Sequence, residues 1–266
     1  MKSNQYGPGM ASYYNRHMAE PSLYLGQRLL DCARAAAGSA SRRRVLELCC
    51  GTGHFALSLA RAGYQVIAVD HSPAMIEQAV ENRDQQSEEL ESGGVEFLVR
   101  EISELDLPAP CSMVLAVGNA INHLRDRQHL EASLKAIARC AEDGAVFAFD
   151  FNTQLGLQSW NHVSVQDGPE RVILVRGSYV PGDALARTQI VGFEVCDDGR
   201  WTRFDECVTN LALDCSELRG VLERAGWAMV DLHDGAGNRI STDEAERHPL
   251  ILVVARKQRV SPRFQA

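Results

Sequence analysis

Acidic residues and glycines stand at the ends of two apolar segments early in the chain. Residues 45–49 are apolar apart from Glu47 and run into Gly51 and Gly53, and a second apolar run ends at Asp70. Glycines let the backbone approach a ligand that side chains would block. A carboxylate at a strand end can accept both hydroxyls of a ribose. These residue types in this order predict a site for a nucleoside-containing cofactor.

The elements that must position these residues follow from the pattern of residues 45–80. A short apolar run, a glycine-rich turn, a helical stretch and a second apolar run form a βαβ unit. Ser72 and Pro73 are typical of a helix start directly after Asp70. Such units build a doubly wound sheet whose crevice lies at the carboxyl ends of the strands. The predicted strands are 45–49, 65–70, 95–99, 112–117, 145–150, 227–233 and 249–256.

The alternation of strands and helices stops between residues 151 and 212. Three stretches there, 172–180, 186–195 and 200–213, have strand composition, and a Pro-Gly-Asp turn joins the first two. They predict an antiparallel β insert that covers the mouth of the site as a lid. The predicted fold is therefore α/β, a doubly wound, Rossmann-like seven-stranded sheet with this insert. The predicted parts are an N-terminal helical cap at 1–40, a cofactor-binding core at 41–150, the insert at 151–212 and the C-terminal part of the sheet at 213–266.

The kind of cofactor depends on the acid inside the first strand. Gly51-x-Gly53-x-x-Ala56 also satisfies the dinucleotide fingerprint. Glu47, four residues before Gly51, would repel a pyrophosphate at the following helix. It would attract a cationic sulfonium or ammonium. A nicotinamide-dependent oxidoreductase and a non-catalytic cofactor-binding protein stay open as alternatives at this point.

The layout from Glu47 to Gly53 resembles motif I of class I S-adenosylmethionine-dependent methyltransferases. Residues 100–108, 113–126 and 143–153 resemble the family's later segments, and 12–24 resembles the tyrosine-containing cap of small-molecule N-methyltransferases. The resemblance implies S-adenosyl-L-methionine as cofactor and in-line methyl transfer to a small molecule. An amine nitrogen is the first choice of acceptor atom, and oxygen or carbon the second. One departure is Cys49 at the family's usual first glycine, where we expect the backbone to avoid positive φ.

The same resemblance implies a set of cofactor contacts. Glu47 would lie near the methionine moiety, Asp70 at the ribose, and Glu101 at the adenine. The helix after Asp70 and the tyrosine-containing cap would contribute further contacts. The full predicted set is Tyr14, Glu47, Cys49, Gly51, Gly53, Asp70, His71, Met75, Glu101, Ile102 and Val117.

His123 is the predicted catalytic residue, because it follows the fourth strand at the crevice. A neutral imidazole there could take a proton from the acceptor, or it could simply cap the next helix. Asn119 and Asn122 are predicted to line the acceptor pocket, or to order the loop through bonds to the backbone. Asn152 and Trp160 are predicted acceptor walls, with Trp160 alternatively anchoring the insert.

Composition limits the remaining function classes. The 266 residues carry a net charge of −8 without a clustered basic surface, which argues against a nucleic-acid partner. Metal-ligand spacing is absent, so no metal is predicted. Eight scattered cysteines fit a reducing compartment, and no signal peptide or long apolar run is present. We therefore expect a cytoplasmic enzyme that acts on a small molecule and has no membrane partner.

Overall fold

The computed structural model describes residues 6–37, 44–86, 94–196 and 198–259. The boundary expected between the cap and the core, at 40/41, lies outside these residues. The strands are β1 Arg44–Leu48, β2 Gln65–Asp70, β3 Gly94–Val99, β4 Cys111–Ala116, β5 Ala141–Asn152, β6 Val163–Asp167, β7 Arg171–Ser178, β8 Leu185–Val195, β9 Trp201–Leu211, β10 Trp227–Asp234 and β11 Leu250–Lys257. The helices are α1 Pro8–His17, α2 Ala19–Ala37, α3 His54–Arg61, α4 Pro73–Gln85, α5 Arg127–Arg139, α6 Gln154–Ser159, α7 Cys215–Arg224 and α8 Thr242–Ala245.

The central sheet has seven strands in the order β10-β11-β5-β4-β1-β2-β3. Strands β1 to β5 are parallel, and β11 runs antiparallel to both β5 and β10. Apolar clusters that include side chains from α2 and α3, and from α5 and α7, bury its two faces. The doubly wound fold predicted from the sequence is thus confirmed. Its parallel strands bring their carboxyl ends to one edge of the sheet, where the ligand crevice of such a fold lies.

The local signals around α4 are confirmed. This helix begins at Pro73, and the Ser72 hydroxyl accepts a hydrogen bond from the Met75 amide. A side-chain oxygen at this position satisfies one of the amides that a helix N-terminus leaves unpaired. The cap fixes the direction of the chain directly after Asp70, and so holds the β2 end in place.

The predicted helical cap consists of two helices, and the first of them, α1, was not predicted as a separate element. The buried side chains of α1 are Met10, Ala11 and Tyr13, which is a short and weak apolar pattern. They contact a separate apolar cluster that includes Phe204 of β9. The helix is therefore stabilised by the insert, and a reading of the local sequence misses it.

Four strands form the insert in the order β6-β7-β8-β9, all antiparallel. The three predicted strands correspond to β7, β8 and β9. Strand β6 and helix α6 were missed. Strand β6 is short, and its two valines, Val163 and Val165, alternate with polar residues but are exposed rather than buried against a core. One face of this sheet packs on α1, which links the insert to the core.

Candidate active site

A cavity of about 490 Å³ lies at the carboxyl ends of the parallel strands, between the core, the N-terminal segment and the insert. This volume is typical of a small-molecule site. Its wall includes residues from β8 and β9 as well as from the core. Ten of the predicted site residues lie in it: Tyr14, Cys49, Gly51, Asp70, His71, Met75, Glu101, Ile102, Val117 and His123.

The turn between β1 and α3 has three residues with positive φ. The φ values are 50° at Cys49, 54° at Gly51 and 79° at Gly53. The expectation that Cys49 avoids positive φ is therefore wrong. The Cys50 amide still bonds to the Val69 carbonyl at 3.0 Å, so the chain must reverse within a few residues of the strand pairing. Left-handed backbone at Cys49 meets this demand at the expense of local strain.

The two glycines of this turn, Gly51 and Gly53, allow two different close contacts. A Cβ on Gly51 would lie 3.2 Å from the Tyr14 ring, which closes over the turn from α1. A Cβ on Gly53 would lie 2.6 Å from the Phe97 ring. Gly51 is thus part of the cavity wall, whereas Gly53 is outside that wall and allows close packing behind it.

Asp70 is buried at the end of β2 and braces the turn. Its Oδ2 accepts the Gly51 amide at 3.0 Å, and its Oδ1 accepts the Ser72 amide at 2.9 Å. Burial raises the pKa of Asp70, while these amides and the neighbouring His71 oppose that rise. An ionised carboxylate has about four lone-pair positions. Asp70 can therefore hold the turn and still accept hydrogen bonds from a ligand.

Glu47 lies behind the main cavity, in a small adjoining pocket that shares Tyr14, Cys49 and Val117 with it. Burial, with the nearby Asp70, raises the pKa of Glu47 well above its usual range. Within the described part of the chain its Oε2 atom has no hydrogen-bond partner. A buried polar atom of this kind needs a donor. A cationic group entering the pocket would supply one.

The opposite end of the cavity has apolar walls and one carboxylate. Met75 and Ile102 are almost fully buried there. Glu101 precedes a short 3-10 helix at Ile102–Glu104, and its Oε1 accepts the Ile102 amide at 3.1 Å. This combination suits a flat heteroaromatic ring that carries an amino group.

Two buried polar side chains, Asp150 and Asn122, hold the loop after β4 in place. Asp150 accepts the amides of Gly118 and Asn119, both at 2.8 Å. Burial raises the pKa of Asp150 to about 6, although the two amides oppose the rise. Asn122 donates to the backbone carbonyls of Asn152 and Leu211, both at 3.1 Å. These bonds fix the loop that carries His123 against both β5 and β9.

His123 is in the cavity wall with both ring nitrogens engaged. Its Nδ1 is 3.4 Å from the Thr209 carbonyl, and its Nε2 is 3.4 Å from the Tyr6 hydroxyl. A carbonyl only accepts, so Nδ1 carries the proton and Nε2 accepts. Burial lowers the pKa of His123 to about 4. The imidazole is therefore neutral at physiological pH and only weakly basic.

Tyr6 is the main site residue that sequence reasoning missed. Its backbone amide donates to Glu206 at 3.1 Å, and its carbonyl accepts from the Ser72 hydroxyl at 2.6 Å. Burial raises the pKa of the Tyr6 phenol, which keeps it protonated as a donor toward His123. No local pattern signals this contact. Other residues of the wall that were not predicted include Leu124, Arg125, His129, Arg187, Cys207 and Thr209.

The four residues predicted for the acceptor do not lie in the cavity wall. Asn122 is fully buried and orders the loop, which was the alternative interpretation. Asn119 has a φ of 59° in the turn that Asp150 holds. Asn152 is buried beside Asn122, and its backbone N–H donates to Asn122 Oδ1 at 2.9 Å. Trp160 packs on a small apolar cluster that includes Leu157, as expected of an anchor of the insert.

Comparisons with known proteins agree with this geometry. Residues 45–144 match the family model described as methyltransferase domain. The Bacillus subtilis (strain 168) protein YqeM, which carries a methyltransferase name, is 21% identical over 243 residues, 91% of each chain. An S-adenosylmethionine-dependent methyltransferase from Clostridium acetobutylicum ATCC 824 superposes with a TM-score of 0.80 at 19% identity, over 94% of this chain and 98% of that one. Residues 45–144 thus form a methyltransferase domain, and the chain as a whole has the fold of S-adenosylmethionine-dependent methyltransferases.

A further structural relative of this methyltransferase is the sugar N-methyltransferase KedS8 from Streptoalloteichus sp ATCC 53650. The two superpose with a TM-score of 0.64 at 19% identity, over 91% of this chain and 87% of that one. At this level of identity the likeness shows a shared fold. The acceptor must be argued from the site itself.

The methyltransferase has a donor set that fits its cofactor. The unpartnered Oε2 of Glu47 suits a positively charged ammonium. The carboxylate of Asp70 ends β2, and that of Glu101 follows β3. Across the described ranges, no group of His, Cys, Asp and Glu side chains could hold a metal ion. No helix of the described chain is long and apolar enough to cross a membrane.

Proposed function

We propose that the methyltransferase transfers a methyl group to an amine nitrogen of a small-molecule acceptor. The observation that carries this proposal is the composition of the cavity wall around His123, which we call the acceptor end. A neutral, weakly basic His123 and the Tyr6 phenol meet there, with Thr209 and Arg187 of the insert nearby. The two carboxylates in the described cavity wall, Asp70 and Glu101, belong to the strand ends that we assign to the cofactor.

The basicity of His123 favours nitrogen over oxygen. An imidazole with a pKa of about 4 is a poor base for the much less acidic proton of an alcohol. An amine differs because its uncharged nitrogen is nucleophilic enough to attack before any proton is lost, whereas a neutral alcohol oxygen is a weak nucleophile. The cation of Arg187 disfavours an ammonium nearby and so favours the reactive, uncharged amine. The similarity to a sugar N-methyltransferase supports the same choice.

We propose that Glu47 holds the ammonium group of the cofactor, Asp70 its ribose hydroxyls, and Glu101 with Ile102 its adenine. When bound, S-adenosylmethionine supplies an electrophilic methyl group on a positively charged sulfur, which is a good leaving group. Tyr14 covers the turn and is in reach of both pockets. The remaining wall residues that we assign to the cofactor are Cys49, Gly51, His71, Met75 and Val117.

The insert and the N-terminal segment have a positioning role in this proposal. Thr209 orients His123, Glu206 holds the Tyr6 backbone, and Tyr6 in turn donates toward His123. An acceptor bound among these groups would be aligned and shielded from water, which is the main contribution a protein can make here. The eight cysteines, all in the described residues, form no disulfide, which supports a reducing, cytoplasmic setting.

A product analysis tests the nitrogen assignment. Small primary amines, each paired with the alcohol of the same carbon skeleton, are incubated with enzyme and isotope-labelled S-adenosylmethionine. We expect N-methylated products by mass spectrometry and no methylation of the paired alcohols. Methylation of the alcohols alone would contradict the proposal while leaving the enzyme a methyltransferase.

A second measurement tests the state in which the amine reacts. Two amines with different ammonium pKa values are compared by their pH profiles of kcat/KM. Because the free base is expected to react, the half-maximal pH should follow the pKa of each amine. A shared half-maximal pH near 6.5 for both amines would instead indicate a titrating protein base.

A further inference from the structure

His129 is a buried residue of the cavity wall that the proposed function leaves unused. It lies in the first turn of α5, with 7% of its surface exposed. Its backbone amide donates to the helix cap Asp126 at 2.7 Å. Burial and the cap together fix the imidazole at the end of the cavity where Glu101 lies.

The contacts of the two ring nitrogens define the tautomer of His129. The Arg125 backbone amide donates to Nδ1 at 3.3 Å, so Nδ1 is the acceptor and Nε2 carries the proton. Nε2 is 3.2 Å from Glu101 Oε1. Within the described residues this buried N–H group makes no hydrogen bond of full geometry, and the approach to Glu101 is its ion-pair contact. Its polar neighbour is therefore the Glu101 carboxylate.

Glu101 is otherwise weakly held. Its side chain is 42% exposed, so packing alone does not fix its rotamer. Oε1 accepts the Ile102 amide, and His129 approaches the same oxygen from α5. Both contacts involve Oε1, which leaves Oε2 as the oxygen available to a ligand in the cavity.

We propose that His129 is a positioning residue, which orients Glu101 toward the amino group of adenine and so gives the methyltransferase its preference for that base. A carboxylate attracts the exocyclic amino donor of adenine and repels the carbonyl oxygen that hypoxanthine has in its place. This repulsion discriminates only if the carboxylate is held in place. The inference rests on the proposed adenine role of Glu101 and is independent of the acceptor.

The experiment compares two ligands and two substitutions. S-adenosylhomocysteine and its hypoxanthine analogue, S-inosylhomocysteine, are titrated calorimetrically into the full-length protein without an acceptor. His129→Asn keeps an oxygen near the Nδ1 position for the Arg125 amide but is too short to reach Glu101. His129→Gln extends an amide N–H group toward Glu101 and gives up the loop contact.

We expect His129→Asn to reduce the preference for the adenine ligand by about fivefold to tenfold, the scale of one hydrogen bond to a charged group. His129→Gln should retain most of the preference. In His129→Asn the affinity for S-adenosylhomocysteine should fall and that for S-inosylhomocysteine should rise slightly, because a released carboxylate attracts the amino group less and repels the carbonyl less. In a Glu101→Gln background, His129→Asn should have no further effect on the preference.

Two results would overturn the inference. One is an unchanged preference in His129→Asn, and the other is a larger loss in His129→Gln than in His129→Asn, which would make the Arg125 contact the important one. Thermal unfolding of each variant monitors folding, and the ratio of the two affinities reports only on binding-competent protein. Because methyl transfer is not measured, failure of the amine proposal would leave these results unaffected.

Discussion

At the scale of single residues, substitutions at Cys49 measure the backbone strain in the turn between β1 and α3. Its φ of 50° disfavours any residue with a Cβ. We expect Cys49→Gly to be more stable than Cys49→Ala by about 1 kcal/mol, because both lack the thiol and only the alanine retains the strain. Denaturant unfolding of the two variants measures the difference.

Cys111 provides the matched control for this comparison. It is a fully buried cysteine in β4 and is not among the residues with positive φ. There the order should reverse, with alanine more stable than glycine by about 0.5–1 kcal/mol. If alanine were more stable than glycine at both positions, the turn would store no strain at Cys49.

The lowered pKa of His123 predicts that the free energy of unfolding decreases in acid. Its pKa is about 4 in the folded protein and ordinarily about 6.5, so the unfolded chain binds a proton first as the pH falls. The stability from the neutral imidazole is present above pH 6.5 and is lost as the pH falls toward 4. Relative to His123→Gln, the native protein should lose about 3 kcal/mol over this window.

Unfolding free energies of the two proteins between pH 7 and pH 4 provide the measurement. Asp150 acts in the opposite direction, because its pKa is raised to about 6, but it is present in both proteins and cancels in the difference. His162→Gln, at an exposed imidazole, is the matched control. A difference that does not change with pH would show that His123 is not held neutral by burial.

At the scale of elements, the contact between α1 and the insert holds the cavity together. Phe204 of β9 packs on Tyr13 of α1, with ring centroids 5.9 Å apart. A Cβ on Gly192 of β8 would lie 2.1 Å from the Phe204 ring. Gly192→Ala should therefore displace Phe204 and lower stability by about 1–3 kcal/mol, the usual cost of overpacking.

Thermal unfolding and trypsin cleavage at the exposed Arg16 of α1 check this prediction. Gly94→Ala is the control, because an added Cβ there meets no atom within 4 Å. We expect faster cleavage at Arg16 in Gly192→Ala than in Gly94→Ala. Equal cleavage rates, with equal stabilities, would show that α1 does not depend on the insert.

At the scale of the whole molecule, three separate parts of the chain form one cavity. Tyr14 comes from α1, Asp70 from the core and Thr209 from the insert. A short linker in place of residues 163–208 should abolish methyl transfer and also weaken S-adenosylhomocysteine binding, because Phe204 and Glu206 hold the segment that carries Tyr6 and α1. A lid that only covers the mouth of the site, as expected from the sequence for residues 151–212, would instead leave cofactor affinity nearly intact.

Calorimetric titration of a folded deletion variant, verified by circular dichroism, distinguishes these expectations. Asp70→Ala in the full-length protein is the reference, since losing a charged hydrogen-bond partner should weaken binding by about 1.5–3 kcal/mol. Native affinity in the deletion variant would mean that the cofactor pocket is built by the core alone.

The sequence by itself determined the fold and which residues stand at the strand ends, and its resemblance to class I methyltransferases indicated the cofactor. The reason is that these depend on local patterns: the apolar period of each strand, the glycines of one turn and the cap at Ser72 are short-range features. Glu47, Asp70 and Glu101 follow from the rule that parallel strands end at one edge of a sheet.

Only the tertiary structure decided how the acceptor end is built. Tyr6 meets His123 across 117 positions of sequence, and Thr209 meets it across 86. The low pKa of His123 comes from burial under these distant segments, as does the docking of the weakly patterned α1. The sequence around Asn122 would be the same whether its side chain faced a ligand or the backbone of β9. Its position depends on long-range packing, and no local pattern contains that information.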